Sequence, residues 1–217
     1  MKTRVLVTGA NGQLGQTLKE LYSSDSTIDF TFTTKTILDI TNKYQVDTFL
    51  SQNSFDYCIN CAAFTNVEQA EKTPDPAFLV NAEAVKNIAE ACKKNNIILI
   101  HISTDYVFDG LKNDPYLETD QTNPQSIYGQ TKWEGEEAVR NHKKHIILRT
   151  SWVFGSHGQN FLKTILKLIQ EKTSLNIVSD QKGTPTSVDV LADVTETVVK
   201  SIVIKSNLIF ILEKLFY

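Results

Sequence analysis

Tyr128 and Lys132 stand four residues apart in the run Tyr128-Gly-Gln-Thr-Lys132. On a helix this spacing puts a phenol and an ammonium on one face as neighbours. A free tyrosine titrates near ~10 and is a poor acid at neutral pH. A nearby ammonium favours the phenolate and lowers that value. Such a phenol can give a proton to a carbonyl oxygen as hydride reaches the carbon. The pair needs a third group to polarise the carbonyl. Ser103 and Thr104 offer two hydroxyls at the end of an apolar run, Ile97-Ile-Leu-Ile-His-Ile-Ser103.

A second constellation is built for binding. Val7-Thr-Gly9-Ala-Asn-Gly12-Gln-Leu-Gly15 places glycines at i, i+3 and i+6, between an apolar run and a helical pattern. A tight turn needs a residue free to take positive φ. A pyrophosphate approaches closely where a side chain is missing, and a helix N-terminus offers it free N–H groups. Gly9, Gly12 and Gly15 therefore read as a dinucleotide turn in the required strand–turn–helix setting.

The elements that must carry these groups alternate. Strands are predicted at 4–8, 29–34, 56–60, 97–103, 145–150 and 175–179. Helices are predicted at 12–22, 42–52, 75–93, 126–141, 160–170 and 188–204. Strands alternating with helices imply βαβ units. Continuous apolar runs such as Val5-Leu-Val7 suit strands covered on both faces. The fold class is α/β, a Rossmann-type doubly wound parallel sheet.

The 217 residues are 41% hydrophobic and 22% charged, the range of a globular protein. The balance of 22 basic and 25 acidic residues gives a net charge of −3. No nucleic-acid partner is expected from it. Cys58-Ile-Asn-Cys61 lies at a strand end, where positions three apart face opposite ways. It reads as packing, and the compartment as cytoplasmic and reducing. No signal peptide or membrane span is expected.

Several motifs in order carry a resemblance. Thr8-Gly9-x-x-Gly12-x-x-Gly15 is similar to the extended short-chain dehydrogenase/reductase pattern. Ser103-Thr-Asp-Tyr-Val-Phe-Asp-Gly110, Tyr128-Gly-Gln-Thr-Lys132, Arg149-Thr-Ser-Trp-Val-Phe-Gly155 and Asp180-Gln-Lys-Gly-Thr-Pro-Thr186 resemble the dTDP-4-dehydrorhamnose reductase family. The resemblance runs from residue 4 to about 200 and implies reduction of the 4-keto group of dTDP-4-dehydro-6-deoxy-L-mannose to dTDP-L-rhamnose, with NADPH or NADH. It implies that Thr104 polarises the keto group, Tyr128 donates the proton and Lys132 holds the nicotinamide ribose. Asp105, Thr104 and Trp152 would contact the sugar nucleotide. Gly12, Gln13 and Leu14 would wrap the pyrophosphate, and Asp39 and Ile40 would flank the adenine. Ala63, Phe64 and Thr65 would line the cofactor cleft, and Asn81 would support the lysine through water. Some relatives use Mg²⁺ at a dimer contact, so Mg²⁺ and a homodimer follow by resemblance only; no protein metal ligand is assigned.

Two places depart from the pattern. The second strand ends in Thr33-Thr34-Lys35, without the acid that binds an adenosine 2′-hydroxyl, which suits a 2′-phosphate. The family's chains usually run on for several tens of residues past 188–204. Residues 1–153 are therefore expected to be the dinucleotide-binding domain. Residues 154–217 would be an incomplete substrate lobe with a returning helix, ending in an apolar tail prone to association. Two other readings remain. One is a non-catalytic nucleotide-binding subunit resembling the methionine adenosyltransferase regulatory protein, and the other a sugar-nucleotide epimerase or dehydratase, for which Asp105 could supply the acid.

Overall fold

The computed structural model describes residues 2–177, 183–201 and 208–211. Its centre is a six-stranded parallel sheet in the order β2-β1-β3-β4-β5-β8. The strands are β1 (Thr3–Thr8), β2 (Ile28–Phe32), β3 (Tyr57–Asn60), β4 (Ile98–Thr104), β5 (His145–Thr150) and β8 (Leu208–Ile211). A two-stranded parallel ribbon, β6 (Val153–Phe154) with β7 (Thr186–Ser187), stands apart. The helices are α1 (Gln13–Tyr22), α2 (Lys43–Gln52), α3 (Val67–Lys72), α4 (Pro74–Phe78), α5 (Ala84–Lys94), α6 (Ile127–Arg140), α7 (Phe161–Glu171) and α8 (Val188–Ser201).

Alternation along each strand feeds two cores, as a sheet covered on both faces requires. Leu6, Cys58 and Leu99 pair across β1, β3 and β4 and pack under α2 and α5. Val7, Ile59, Ile100 and Ile146 form the next row and pack under α1 and α8. Asparagine or serine caps four helices: Asn42, Asn66, Ser126 and Asn160 each accept an N–H three residues on.

Three expectations change. The helix predicted at 75–93 is interrupted by a π turn, Leu79–Glu83, between α4 and α5. There α6 passes so close that a Cβ on Gly135 would lie 2.3 Å from the Asn81 carbonyl oxygen. The strand predicted at 175–179 is absent from 175–177, and 178–179 lie outside the described residues. The apolar segment read as a tail is, over Leu208–Ile211, a strand paired in parallel with β5. Its apolar side chains are those of a sheet edge closing on β5. The helix predicted to 204 is α8, described to Ser201. Cys58 is buried on β3 and Cys61 half-buried beyond its end, and all three cysteines are free thiols. No described helix is long and apolar enough to cross a membrane.

Candidate active site

The glycine turn connects β1 to α1. Gly9 has φ +67°, and a Cβ there would lie 2.6 Å from the Ala62 backbone nitrogen. The N–H of Gly12 donates to the Gly9 carbonyl at 2.9 Å. A Cβ on Gly15 would meet the same carbonyl at 2.6 Å, so this glycine lets α1 pack on its turn. Gly12 is the N-cap and has no side chain to satisfy the first N–H groups of α1, which suits an anion.

A cleft of about 350 Å³ opens over this turn. Gly9, Gly12, Asp39, Ile40, Ala63 and Phe64 line it, with Thr34 and Lys35 also on its wall. Six other cofactor-site candidates do not line it: Tyr128 and Lys132, which lie at the end of β4, and Leu14, Gly15, Thr65 and Gln13. Leu14 is buried in the core, so it can offer a ligand only its backbone N–H. Gly15 lies behind the turn. Thr65 is exposed and outside the cleft. The Gln13 side chain turns to the segment after β5: its Oε1 accepts from Asn160 at 3.1 Å, and its Nε2 donates to the Val153 carbonyl at 3.5 Å. Thr33 is also withdrawn, because it is buried and its hydroxyl donates to the Val7 carbonyl at 3.1 Å. A 2′-phosphate would therefore meet Thr34 and Lys35. The Asp39 carboxylate accepts from the Thr41 N–H and hydroxyl, which lowers its pKa.

The reactive groups meet at the C-terminal end of β4. The Thr104 hydroxyl lies within hydrogen-bonding reach of the Tyr128 phenol. It also donates to Asp105 Oδ1 at 3.0 Å and accepts from the Tyr106 N–H at 3.3 Å. Ser103, one residue back, faces the other side of the sheet beside Glu136. The Tyr106 and Tyr128 rings meet edge to face, centroids 5.6 Å apart. A Cβ on Gly129 would lie 2.3 Å from the Tyr106 carbonyl oxygen, so glycine there lets α6 reach the β4 loop. Lys132 is buried, and its Nζ donates to the Ile102 carbonyl at 2.7 Å.

The expected lowering of the Tyr128 pKa is not seen. Burial pushes it up to about 12; the Thr104 hydroxyl opposes this and Asp105 adds to it. Burial pulls Lys132 down to about 8, while Glu136 raises it. Desolvation penalises both charged forms and outweighs the pairing inferred from the four-residue spacing.

Asn81 sits in the π turn, fully buried. Its Oδ1 accepts from the Phe64 N–H at 2.8 Å, and its Nδ2 donates to the Phe64 carbonyl at 2.9 Å and to the Thr131 hydroxyl at 3.1 Å. It thus ties the cleft wall directly to α6, the helix that carries Lys132. Trp152 has φ 47°, a rare conformation for a bulky residue, and is 39% exposed. Its ring lies 6.3 Å from that of Phe161, outside the nucleotide cleft. Among the described residues no group of three or more His, Cys, Asp or Glu could hold a metal ion.

Sequence reasoning missed Glu136 and Arg149 as site residues. Both are buried, and they pair side by side behind Lys132. The available signal was Glu136 continuing the Tyr128 and Lys132 spacing by four more residues.

A parallel sheet with a glycine turn at its first strand, and a threonine, tyrosine and lysine converging at its fourth, defines the extended short-chain dehydrogenase/reductase class. A family model described as the RmlD substrate binding domain matches residues 3–212. The dTDP-4-dehydrorhamnose reductase of Aggregatibacter actinomycetemcomitans is 41% identical over 202 residues, 93% of this chain and 69% of that protein. The spore coat polysaccharide biosynthesis protein SpsK of Bacillus subtilis is 41% identical over 91% of this chain and 69% of its own length. The crystal structure of dTDP-4-dehydrorhamnose reductase from Bacillus anthracis in complex with NADP superposes with a TM-score of 0.92. It is 38% identical, covering 98% of this chain and 74% of that one. The chain belongs to the dTDP-4-dehydrorhamnose reductase family of oxidoreductases.

Proposed function

We propose that this protein reduces the 4-keto group of dTDP-4-dehydro-6-deoxy-L-mannose to give dTDP-L-rhamnose, with NADPH preferred over NADH. The observation that carries the reading is the meeting of Thr104, Tyr128 and Lys132 at the C-terminal end of β4, in a chain of this family that also opens a cleft over Gly9 and Gly12. A bound nicotinamide nucleotide supplies the hydride. Its pyrophosphate would lie on the Gly12 turn, its adenine against Asp39 and Ile40, and its 2′-phosphate against Thr34 and Lys35. Thr104 donates a hydrogen bond to the keto oxygen, and Tyr128 delivers the proton as that oxygen gains charge. The Lys132 ammonium then favours the phenolate that Tyr128 becomes. Asp105 and Trp152 contact the sugar nucleotide from the β4 and β5 ends, with residues 154–177, which carry α7, forming the sugar side of the site, while α8 packs on the central sheet and β8 belongs to it.

Incubation with the 4-keto sugar nucleotide and either NADPH or NADH tests this. Loss of nicotinamide absorbance should accompany formation of dTDP-L-rhamnose by mass, faster with NADPH. Nucleotide binding with no such product would remove the reading.

A further inference from the structure

Behind the reactive face of α6 lies an ion pair that the reaction does not touch. Glu136 is fully buried, and Arg149, on β5, is 1% exposed. The guanidinium grips the carboxylate with two parallel bonds, Nε to Oε1 at 2.9 Å and Nη2 to Oε2 at 2.6 Å. The other face of the guanidinium lies 4.9 Å from the centre of the Phe108 ring, on the loop that leaves Thr104. The pair therefore joins α6, the end of β5 and the Thr104 loop. Tyr128, Lys132 and Glu136 recur at every fourth residue, so Glu136 follows Lys132 by one turn on the same side of the helix.

We propose that the Glu136–Arg149 pair is a positioning device for Lys132. It clamps the reactive face of α6 to β5, and its carboxylate is the counter-charge that keeps the buried lysine an ammonium. Its catalytic consequence rests on the reductase reading above.

Stability alone is a weak reason for such a pair. A buried ion pair often stabilises no more than well-packed apolar residues of the same size. Lys132 supplies a stronger one. Its Nζ donates to a neutral carbonyl, and a buried ammonium needs a compensating charge. Besides the Tyr128 phenol, which burial keeps protonated, three ionisable groups act on it electrostatically: Glu136 on α6, the Cys61 thiol beyond β3 and His101 on β4. Burial keeps the thiol protonated and holds His101 neutral. Glu136 is the one of the three that carries charge, and burial is outweighed there by Arg149, so its pKa is lowered. Around Glu136 stand Arg149 and His145 on β5, Ser103 on β4 and Arg140 on α6. Arg140 is partly exposed at 38%, so solvent screens it. Of the charges around the pair, that of Glu136 acts most strongly on Lys132.

The test reads the lysine directly. In protein labelled with ¹³C at lysine Cε, the Lys132 resonance is assigned by its loss in Lys132→Met and titrated by NMR. In Glu136→Gln the Lys132 midpoint should fall by about one pH unit, about tenfold in proton affinity. Glu136→Asp should restore most of that shift while melting lower than the parent, because the shorter carboxylate keeps the charge and loses the fork. Glu136→Gln strands a buried guanidinium, so Glu136→Gln with Arg149→Gln serves if the single variant does not fold; its midpoint should fall in the same direction. An unchanged midpoint in either folded variant overturns the proposal. A parent that does not reduce the keto sugar would remove the reductase reading, while the titration still decides the role of Glu136.

Discussion

Replacing Asn81 with alanine separates two accounts of this residue. Its side chain bonds the Phe64 N–H, the Phe64 carbonyl and the Thr131 hydroxyl, at 2.8, 2.9 and 3.1 Å. At about 1 kcal/mol for each bond, Asn81→Ala should cost about 3 kcal/mol of stability. For a chain of this size that lowers Tm by roughly 6–12 °C. Phe64 lines the nucleotide cleft, so part of the loss should appear in binding. If about 1.4 kcal/mol does, the nucleotide Kd rises about tenfold. Circular dichroism melting and calorimetric titration with NADPH, on the same preparation, measure both. Asn81→Asp keeps an acceptor for the Phe64 N–H but loses the donor to the carbonyl, and should fall between. The refuting result is a parental Tm and parental Kd with only the turnover rate reduced. Asn81 would then act through Lys132, the residue that the family resemblance has it support.

Three further outcomes are expected. Tyr128→Phe keeps the ring against Tyr106 and loses only the proton donor, so nucleotide Kd should hold while turnover falls about 10²–10⁴-fold; a steady-state rate within about tenfold of the parent would exclude Tyr128 as the acid. Lys35→Glu places a carboxylate at the cleft wall where a 2′-phosphate would sit, and should weaken NADPH but not NADH; an unaltered ratio of the two Kd values would move the phosphate elsewhere. Lys132 is pulled down to about 8, and its charge is present below that pH and lost above it. Tyr128, pushed up to about 12, stays protonated throughout. The reduction rate should therefore decline as pH rises through about 8, and a profile flat to about pH 10 would show that the ammonium is not required.

The sheet and its reactive edge were legible because they rest on short-range pattern. Val5-Leu-Val7 and Ile97-Ile-Leu-Ile100 announce strands covered on both faces, and the glycines at 9, 12 and 15 mark the one turn where a backbone must come close. Tyr128 and Lys132 follow from helical spacing read together with the glycine turn and the family resemblance. What the pattern could not show depends on neighbours distant in the chain. Thr33 and Thr34 are adjacent in sequence, yet the Val7 carbonyl claims the hydroxyl of Thr33 while Thr34 lines the cleft. Leu14 and Gln13 stand together in the turn, but one enters the core and the other reaches Asn160, 147 residues away. The π turn at Leu79–Glu83 has no apolar signature, because its companion is Gly135 on α6. The segment Leu208–Ile211 looked like a stray apolar tail until β5 gave it a partner.

The largest reversal concerns charge, and it bears on the direction of the chemistry. From spacing alone, Lys132 should make Tyr128 a stronger acid. Burial instead drives both groups toward neutrality, Tyr128 up to about 12 and Lys132 down to about 8. A phenol that holds its proton firmly is a poor base for oxidising an alcohol, since that direction starts from phenolate. For reduction it starts loaded, with the proton needed as the keto oxygen gains charge. The difficulty then moves to the product side, where a phenolate must form in the same dry site. A lysine that were also neutral could not ease it. The charged partner has to be maintained against its own desolvation, and Thr104 supplies only a neutral hydrogen bond. Proton donation at this site thus depends on whatever keeps Lys132 ionised, and among the ionised groups that face it the structure places Glu136.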